Sequence, residues 1–486
     1  MTKRHAIVIG GGASGVLFAY QLLRRGSVAF RVTLIERRSE IGRGLAYHTG
    51  NPDHLLNVRA GNMSALPEDP DHFVRWLAAR NLCGADPYCF VPRRVFGDYI
   101  ESLIQPLIAE ERGSHALTVV NDECVAVSEG RNGVMIRLAD GTRLSGDIAI
   151  LATGHDSRHA PLACYADPWA PHAGAGIAGD SPLLILGTGL TMVDFVLSRL
   201  REGHRGPVTA ISRRGLLSRA HRRIEPLRID EAEVPFAASA TIGWRWLRDR
   251  VDTHCEEGGD WRCVIDGLRP FTQRLWRELP PGSRQRFLEH ARAWWEVHRH
   301  RMAPEVEDRI TAAIADGRLS LIAAKIIDIA PHSDGARVSY RRRGRNETDS
   351  IDVAAIVDCS GIVKDLGATT NPALRSLFAQ GLARIDPLHI GLDVGSDGAL
   401  IDRDGAPSDR LFAVGPLTRS AFWEIIAIPD IRSQCAELAA RLVQDYRATT
   451  TPTSPTRSPA TVLVDPPIEA AEISKYAEIS QAGAIA

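Results

Sequence analysis

Ala6-Ile7-Val8-Ile9-Gly10-Gly11-Gly12-Ala13-Ser14-Gly15, running on as Val16-Leu17-Phe18-Ala19-Tyr20-Gln21-Leu22-Leu23-Arg24-Arg25, reads as a buried strand, a glycine turn and a helix. Gly10-x-Gly12-x-x-Gly15 has dinucleotide-binding spacing. The first glycine makes the turn, the second admits a pyrophosphate against bare backbone, and the third lets helix pack on strand. Ala13 and Ser14 then open the helix, whose N-terminal N–H groups face the phosphates. Such a fingerprint is weak alone. It gains weight from Arg31-Val32-Thr33-Leu34-Ile35, a second β-rich run ending in Glu36, roughly 20 residues beyond the glycines, where a ribose-binding carboxylate belongs. Arg37 follows as a further candidate contact. The bland alternative is a glycine turn in an ordinary strand-helix-strand unit.

Working outward, Ile41-Gly42-Arg43-Gly44-Leu45-Ala46-Tyr47 would bring backbone N–H groups near an anion, with Gly44 and Leu45 as nucleotide contacts. The polar loop around Asn57 and Arg59 either lines a cofactor ring or only satisfies backbone groups. Asp69 or Asp71 would cap a following helix. Residues 94–108 read as a helix, and 118–144 as strands with a turn at Asp140-Gly141. Asp147 to Ala152 is a buried strand ending in Thr153-Gly154-His155, where the chain returns to the first nucleotide site.

A second unit begins at Leu183-Leu184-Ile185-Leu186-Gly187-Thr188-Gly189-Leu190-Thr191-Met192. Gly187 and Gly189 are kept and Thr191 opens the helix, but Met192 replaces the third glycine, which relaxes the site by holding helix and strand further apart. The next strand, Pro207 to Ile211, ends in Ser212-Arg213-Arg214 rather than an acid. Arginines there suit a 2′-phosphate, so NADPH is preferred to NADH; the alternative is a solvated basic edge.

Residues 224–302 interrupt the pattern with long amphipathic stretches carrying Trp244, Trp246, Trp261, Trp276, Trp294 and Trp295. They form a helical insertion whose tryptophans either pack a small core or wall a planar substrate. Strands return at 319–322 and 336–340, with 341–345 as a charged tip. Ile351 to Gly361 then reads as the crossing back to the first domain. Arg410 to Pro416 is a buried strand holding Gly415, and Pro429 and Asp430 open a helix running to about Tyr446, whose N-terminus would stabilise negative charge on a reduced flavin.

The predicted fold class is therefore α/β: two Rossmann-like dinucleotide-binding domains with a helical insertion. The expected boundaries are 1–160 plus 355–446, 180–350, and a disordered Thr/Pro/Ser-rich tail over 447–486. The chain of 486 residues carries 58 basic and 59 acidic side chains, a balance that favours a small solute over nucleic acid or an anionic membrane. Its 8 cysteines are scattered without CxxC or metal spacing, which predicts free thiols, no metal site and a cytoplasmic protein. No run has the length of a membrane span.

The two dinucleotide units together resemble the two-dinucleotide-binding-domain flavoproteins. More closely, Ile41 to Tyr47, Leu55-Leu56-Asn57-Val58, Met63-Ser64, Gly187 to Asp194, Gly415-Pro416-Leu417-Thr418, Trp423-Glu424 and Ile428 to Arg432 resemble the YdhS-type FAD/NAD(P)-binding family. The resemblance covers the chain up to about Tyr446. It implies FAD in the first unit and NAD(P)H in the second, with kinship to a bacterial FAD-dependent urate hydroxylase and, distantly, to N-hydroxylating monooxygenases. Pro416 stands where many flavoproteins have Asp, which moves the ribityl contact elsewhere.

A disulfide reductase would need a cysteine pair near the flavin, so that reading falls first. Monooxygenation of a small nitrogenous substrate with O2 leads, since such enzymes take their oxygen chemistry from the cofactor. Urate would stack on the tryptophans, with Asn57 and Arg59 reading its edges. The alternatives are N-hydroxylation of an amine and a non-catalytic flavin-binding sensor. His155, His221 and His389 are acid–base candidates by position alone, so no catalytic residue is assigned.

Overall fold

The computed structural model describes residues 3–26, 29–109, 116–155, 164–170, 176–361 and 366–450. Its first sheet runs Ala399–Ile401, Pro407–Ala413, Ile148–Leu151, Arg4–Ile9, Phe30–Ile35, Leu117–Val120. All neighbours are parallel except the first pair, with Val8 between Leu34 and Ile150. Ala6, Ile7, Val8, Ile148 and Ile150 are essentially inaccessible, the continuous apolar pattern of a parallel strand covered on both faces. The helices Ala13–Gly26 and Ile428–Thr450 lie against each other and share this core.

The second sheet runs Asp349–Val353, Gly335–Arg342, Leu319–His332, Val208–Ser212, Leu183–Leu186, Ala355–Asp358, Tyr165–Ala166. Its first three strands form an antiparallel meander and the rest pair in parallel. The helix Leu190–Arg201 begins directly after the second glycine turn. A third, antiparallel sheet contains Cys124–Gly130, Gly133–Leu138 and Arg143–Gly146. Gly141 at φ +90° makes its predicted turn, and Thr142 N–H donates to Asp140 at 2.7 Å.

Four expectations are corrected here. Ala355–Asp358 belongs to the second sheet, where Ile356 pairs with Leu184, so the return to the first sheet comes after this strand and not with it. The helix expected to stop near Tyr446 continues to Thr450, because 447–450 have no breaker before the first proline at 452; the predicted tail from 451 onward lies outside the described residues. Asp71 stands at the start of His72–Ala78 without a side-chain cap bond, its backbone at φ −90°, ψ 1° lying outside the extended region an N-cap residue adopts, and Asp69 pairs with Arg75 at 2.5 Å. Cys83 and Cys89, expected as free thiols, are joined by a disulfide. The short turn Cys83–Ala85, with Gly84 at φ +54°, folds the six-residue separation back on itself. No helix among the described residues is long and apolar enough to cross a membrane.

The insertion holds Ala240–Glu256, Trp261–Gly267, Thr272–Glu278, Pro281–Arg286, a π-helical turn at Phe287–Ala291, and Arg292–Arg299. Val264, Ile265, Leu268, Leu247 and Trp295 form its own core, with Trp244, Trp246 and Trp261 packed on it. Trp276 stacks on Trp423 at 4.4 Å, and its indole N–H donates to the Ser420 carbonyl at 2.7 Å. The tryptophans therefore chiefly pack: none lines either of the cavities described below.

Candidate functional site

The first glycine turn is fixed by backbone crowding. Gly10 has φ +105°, and a Cβ there would stand 2.5 Å from the Ala152 carbonyl oxygen at the end of the neighbouring strand. A Cβ on Gly15 would collide with the Gly10 carbonyl. Glu36, at the end of the next strand, accepts the Gly11 N–H at 2.8 Å and the Arg38 N–H at 2.9 Å. Its carboxylate thus braces the turn as well as bordering the space in front of it. Gly12 faces Gly44 so closely that a Cβ on either would lie 3.3 Å from the other's Cα. That leaves bare backbone in front of a helix start, a cradle that fits a pyrophosphate.

A cavity of about 250 Å³ opens there, lined by Gly10, Gly12, Ala13, Ser14, Glu36, Arg37, Gly44, Leu45, Thr153, Gly154 and His155. Most of the sequence-derived first-site residues are brought together; Gly15 and Gly415 do not line the cavity, Asn57 borders the larger cavity described below, and the C-terminal helix residues Pro429 and Asp430 stand apart. Arg37 pairs with Glu123 at 3.1 Å on the exposed rim. Gly415, at φ +75°, supports the cavity from behind: a Cβ there would press on Ser14 Oγ, and its neighbour Pro416 lines the wall. Pro429 and Asp430 line neither cavity, in contrast to the expectation. Ile428 does so in their place, while Asp430 pairs with Arg269 of the insertion at 3.3 Å.

The second turn repeats the plan. Gly187 also has φ +105°, and a Cβ there would collide with the Cys359 carbonyl at the end of its neighbouring strand. Gly189 has open space beside it. Met192 is fully buried in the core beneath the turn. Gly187, Gly189, Thr191, Arg213, Arg214 and Asn57 all border a larger cavity of about 1540 Å³. Arg214 donates to the His290 carbonyl in the π-helical turn at 2.7 Å. Arg213 is exposed and makes no hydrogen bond or ion pair among the described residues.

Tyr47, Ile426 and Ile428 border both cavities, so the two spaces share a wall. Around the larger one, Arg299 pairs with Glu424 at 3.1 Å, Arg301 with Asp266, and Arg292 with Glu296 at 2.7 Å. His221 borders it too, its Nε2–H donating to the Asn57 carbonyl at 3.0 Å. Burial, then the Arg301 charge, pushes His221 down to about 4. Burial, then Arg419, does the same to His155 beside the smaller cavity, again to about 4. Both imidazoles are neutral near pH 7, and His221 is already engaged by a backbone carbonyl. His389 holds a left-handed backbone at φ +56° on the wall of the larger cavity.

Sequence reasoning missed the charged residues of this wall, Arg269, Arg292, Arg299 and Arg301 in the insertion and Arg419 after the glycine at 415. Only Arg419 carried a local signal, since it follows directly on Gly415-Pro416-Leu417-Thr418. The disulfide borders the larger cavity through Cys89 and does not border the smaller one.

With this geometry in hand, the class is clear: a two-unit, Rossmann-like α/β protein with dinucleotide cradles facing adjoining cavities. Residues 7–156 match the model of a family described as FAD-NAD(P)-binding, so this part of the chain is an FAD/NAD(P)-binding unit. The chain is 30% identical over 138 residues to an uncharacterised protein of Mycobacterium tuberculosis, covering 26% of this chain and 24% of that one; the match spans about a quarter of that relative. Among solved structures, it resembles the ornithine hydroxylase of Pseudomonas aeruginosa at 13% identity and a TM-score of 0.62, over 91% of this chain and 99% of that one. It also resembles the L-lysine 6-monooxygenase of Pseudomonas syringae at 16% identity and a TM-score of 0.59, over 92% and 99%. These are likenesses of fold, extending over nearly the whole chain.

Proposed function

We propose that the protein is an FAD-dependent, NAD(P)H-using monooxygenase that hydroxylates the nitrogen of a small amine. The observation that carries this is the shared wall at Tyr47, Ile426 and Ile428, which puts a ligand of the first cradle next to one of the second. In this reading FAD lies along Gly10, Gly12, Ala13, Ser14, Gly15, Glu36, Arg37, Gly44, Leu45, Thr153 and Gly154. NADPH lies along Gly187, Gly189 and Thr191, with Arg213 on its 2′-phosphate. Bound FAD supplies the redox chemistry that links NADPH to O2. The balanced reaction takes amine, NADPH, H⁺ and O2 to hydroxylamine, NADP⁺ and water. The chain's residues bind, orient and exclude water: neutral His155 borders the flavin side, and neutral His221 anchors the Asn57 loop.

The amine reading is preferred to urate because none of the tryptophans that would stack on a purine lines either cavity. The fold likenesses to amine hydroxylases support the same choice. The test is NADPH oxidation followed together with O2 uptake, peroxide release and hydroxylamine formation across amino acids, diamines and purines. Substrate-stimulated, peroxide-free turnover yielding hydroxylamine is the expected outcome. Peroxide with every compound and no stimulation would leave a flavin-binding sensor in its place.

A disulfide reductase is the second reading, favoured by the Cys83–Cys89 bond. Anaerobic NADPH titration separates the two. Two electron pairs taken up per flavin, and one in the Cys83→Ser/Cys89→Ser variant, would support the reductase; one in both supports the hydroxylase.

A further inference from the structure

Arg419 differs from the four insertion arginines, Arg269, Arg292, Arg299 and Arg301, that border the larger cavity with it. It is 9% exposed and borders that cavity. Its Nε donates to the Ile390 carbonyl at 2.9 Å. Among the described residues, its two terminal nitrogens have no hydrogen-bond partner and no carboxylate lies within ion-pair distance. Arg269, Arg292, Arg299 and Arg301 each have an acid. A buried charge without a directly paired counter-ion is costly, and here burial followed by the nearby Arg292 charge pushes the guanidinium down to about 10, only partly offset by the more distant carboxylates of Glu296 and Asp386.

The fold nevertheless holds this group in place. Asp386 accepts the N–H groups of Leu388, Ile390 and Gly391 at 2.8, 2.7 and 2.7 Å. That clamp shapes a loop in which His389 has a left-handed backbone, a conformation uncommon for a residue with a side chain and concentrated at functional sites. The same loop presents the Ile390 carbonyl that fixes Arg419. With Nε engaged, the guanidinium offers its Nη1 and Nη2 edge, which matches the two oxygens of a carboxylate. Arg419 also lies near enough to His155, on the wall of the smaller cavity, for its charge to lower that histidine's pKa.

We propose that Arg419 is the seat for a carboxylate on the substrate, with Arg292 as a second positive charge beside it, and that the substrate class is therefore an amine that also carries a carboxylate. This rests on the hydroxylase reading for the word substrate, while the anion seat itself does not depend on turnover. A carboxylate held there would orient the far end of the molecule relative to the wall shared with the first cavity.

The experiment uses the FAD-loaded full chain and has two arms. In the first, calorimetry measures binding of unreactive monocarboxylates, acetate to valerate, to the wild type and to Arg419→Gln and Arg419→Lys. Saturable binding weakened at least tenfold in Arg419→Gln and partly restored in Arg419→Lys is expected. No saturable binding, or equal affinity in a folded Arg419→Gln protein, overturns the seat. Should Arg419→Gln not fold, the wild-type titration and Arg419→Lys decide alone.

In the second arm, kcat/KM is compared for lysine and cadaverine, which differ by the carboxylate. A preference for lysine of at least tenfold that collapses in Arg419→Gln is expected, and equal use by the wild type overturns the substrate class. If the variant loses NADPH affinity instead, the guanidinium serves a nucleotide phosphate and the proposal is wrong. Anion binding without hydroxylation of any amine would retain the seat and refute the hydroxylase reading.

Discussion

Gly10 and Gly187 occupy the same place in their respective sheets, each under the carbonyl end of a neighbouring parallel strand and each at φ +105°. Beyond that point the two turns diverge. In the first, Gly15 leaves no room for a Cβ, Gly44 closes on Gly12, and Glu36 braces the backbone. In the second, a methionine fills the position of the third glycine, Gly189 is open, and the following strand ends in arginines. The strand-side glycine is thus demanded by backbone geometry in both places, whereas the helix-side glycine depends on how closely helix and strand approach. The first turn is tight; the second is looser.

The sharpest way to break this comparison is to put a side chain into the tight turn. Gly15→Ala drives a Cβ into the Gly10 carbonyl, a backbone collision that no rotamer relieves, and more than about 4 kcal/mol of lost stability is expected. The measurement is the yield of soluble, flavin-containing protein, and a yellow, normally melting variant would mean the turn can open. Met192→Ala, at the matching position, should instead act as an ordinary core truncation of about 2–5 kcal/mol. It should lower the melting temperature while leaving the flavin content of the folded fraction intact.

Acid should also act on both regions. His155 and His221 sit near 4 in the folded chain, below the ordinary histidine value of about 6.5. Groups depressed in the folded state contribute stability that is fully present above the unfolded value and lost as pH falls toward the folded one. Each is worth on the order of 3 kcal/mol, lost between about pH 6.5 and 4. Urea melts across that range should steepen accordingly, and His221→Gln should flatten the profile relative to the wild type.

A smaller effect is expected at the arginine edge. Arg213→Ala should cut the preference for NADPH over NADH by roughly 10- to 100-fold, the worth of one charge-assisted contact of about 1.5–3 kcal/mol. Arg214→Ala should do less, because its guanidinium is already tied to the His290 carbonyl. Smallest of all, Gly189→Ala should leave stability within about 0.5 kcal/mol, since nothing lies near its Cβ position. A large loss there would show that the second turn is as crowded as the first.

How much of this could be read from the chain follows from how local each feature is. The strands 4–9, 30–35, 148–151 and 183–186 and their glycine turns were legible because strand period, turn and helix start lie within about thirty residues of one another. The side of the crossing at 355–358 was not legible: a short apolar strand followed by a small residue and glycine reads alike in either sheet, and only its pairing with Leu184 decides. The disulfide escaped because its spacing has no motif. Asp430 was misplaced because the helix start was visible while its partner Arg269 sits in an insertion with no pattern linking the two. Arg419 needed the cavity, the loop at 386–391 and the lack of an acid within ion-pair distance among the described residues, none of which a linear string displays.

The first sheet borrows its last parallel strand and a covering helix from the far end of the chain, whereas residues 183–358 contribute nearly all of the second sheet in one uninterrupted pass. On the ribosome the order of maturation is therefore the reverse of the order of synthesis. The second unit can bury its own core while the first still waits for Pro407–Ala413 and Ile428–Thr450. Until those residues emerge, the apolar side of the helix 13–26 and one edge of the strand 148–151 are open to chaperones and proteases. A chain cut short before residue 399 would carry the strands of the second sheet without the last strands and covering helix of the first.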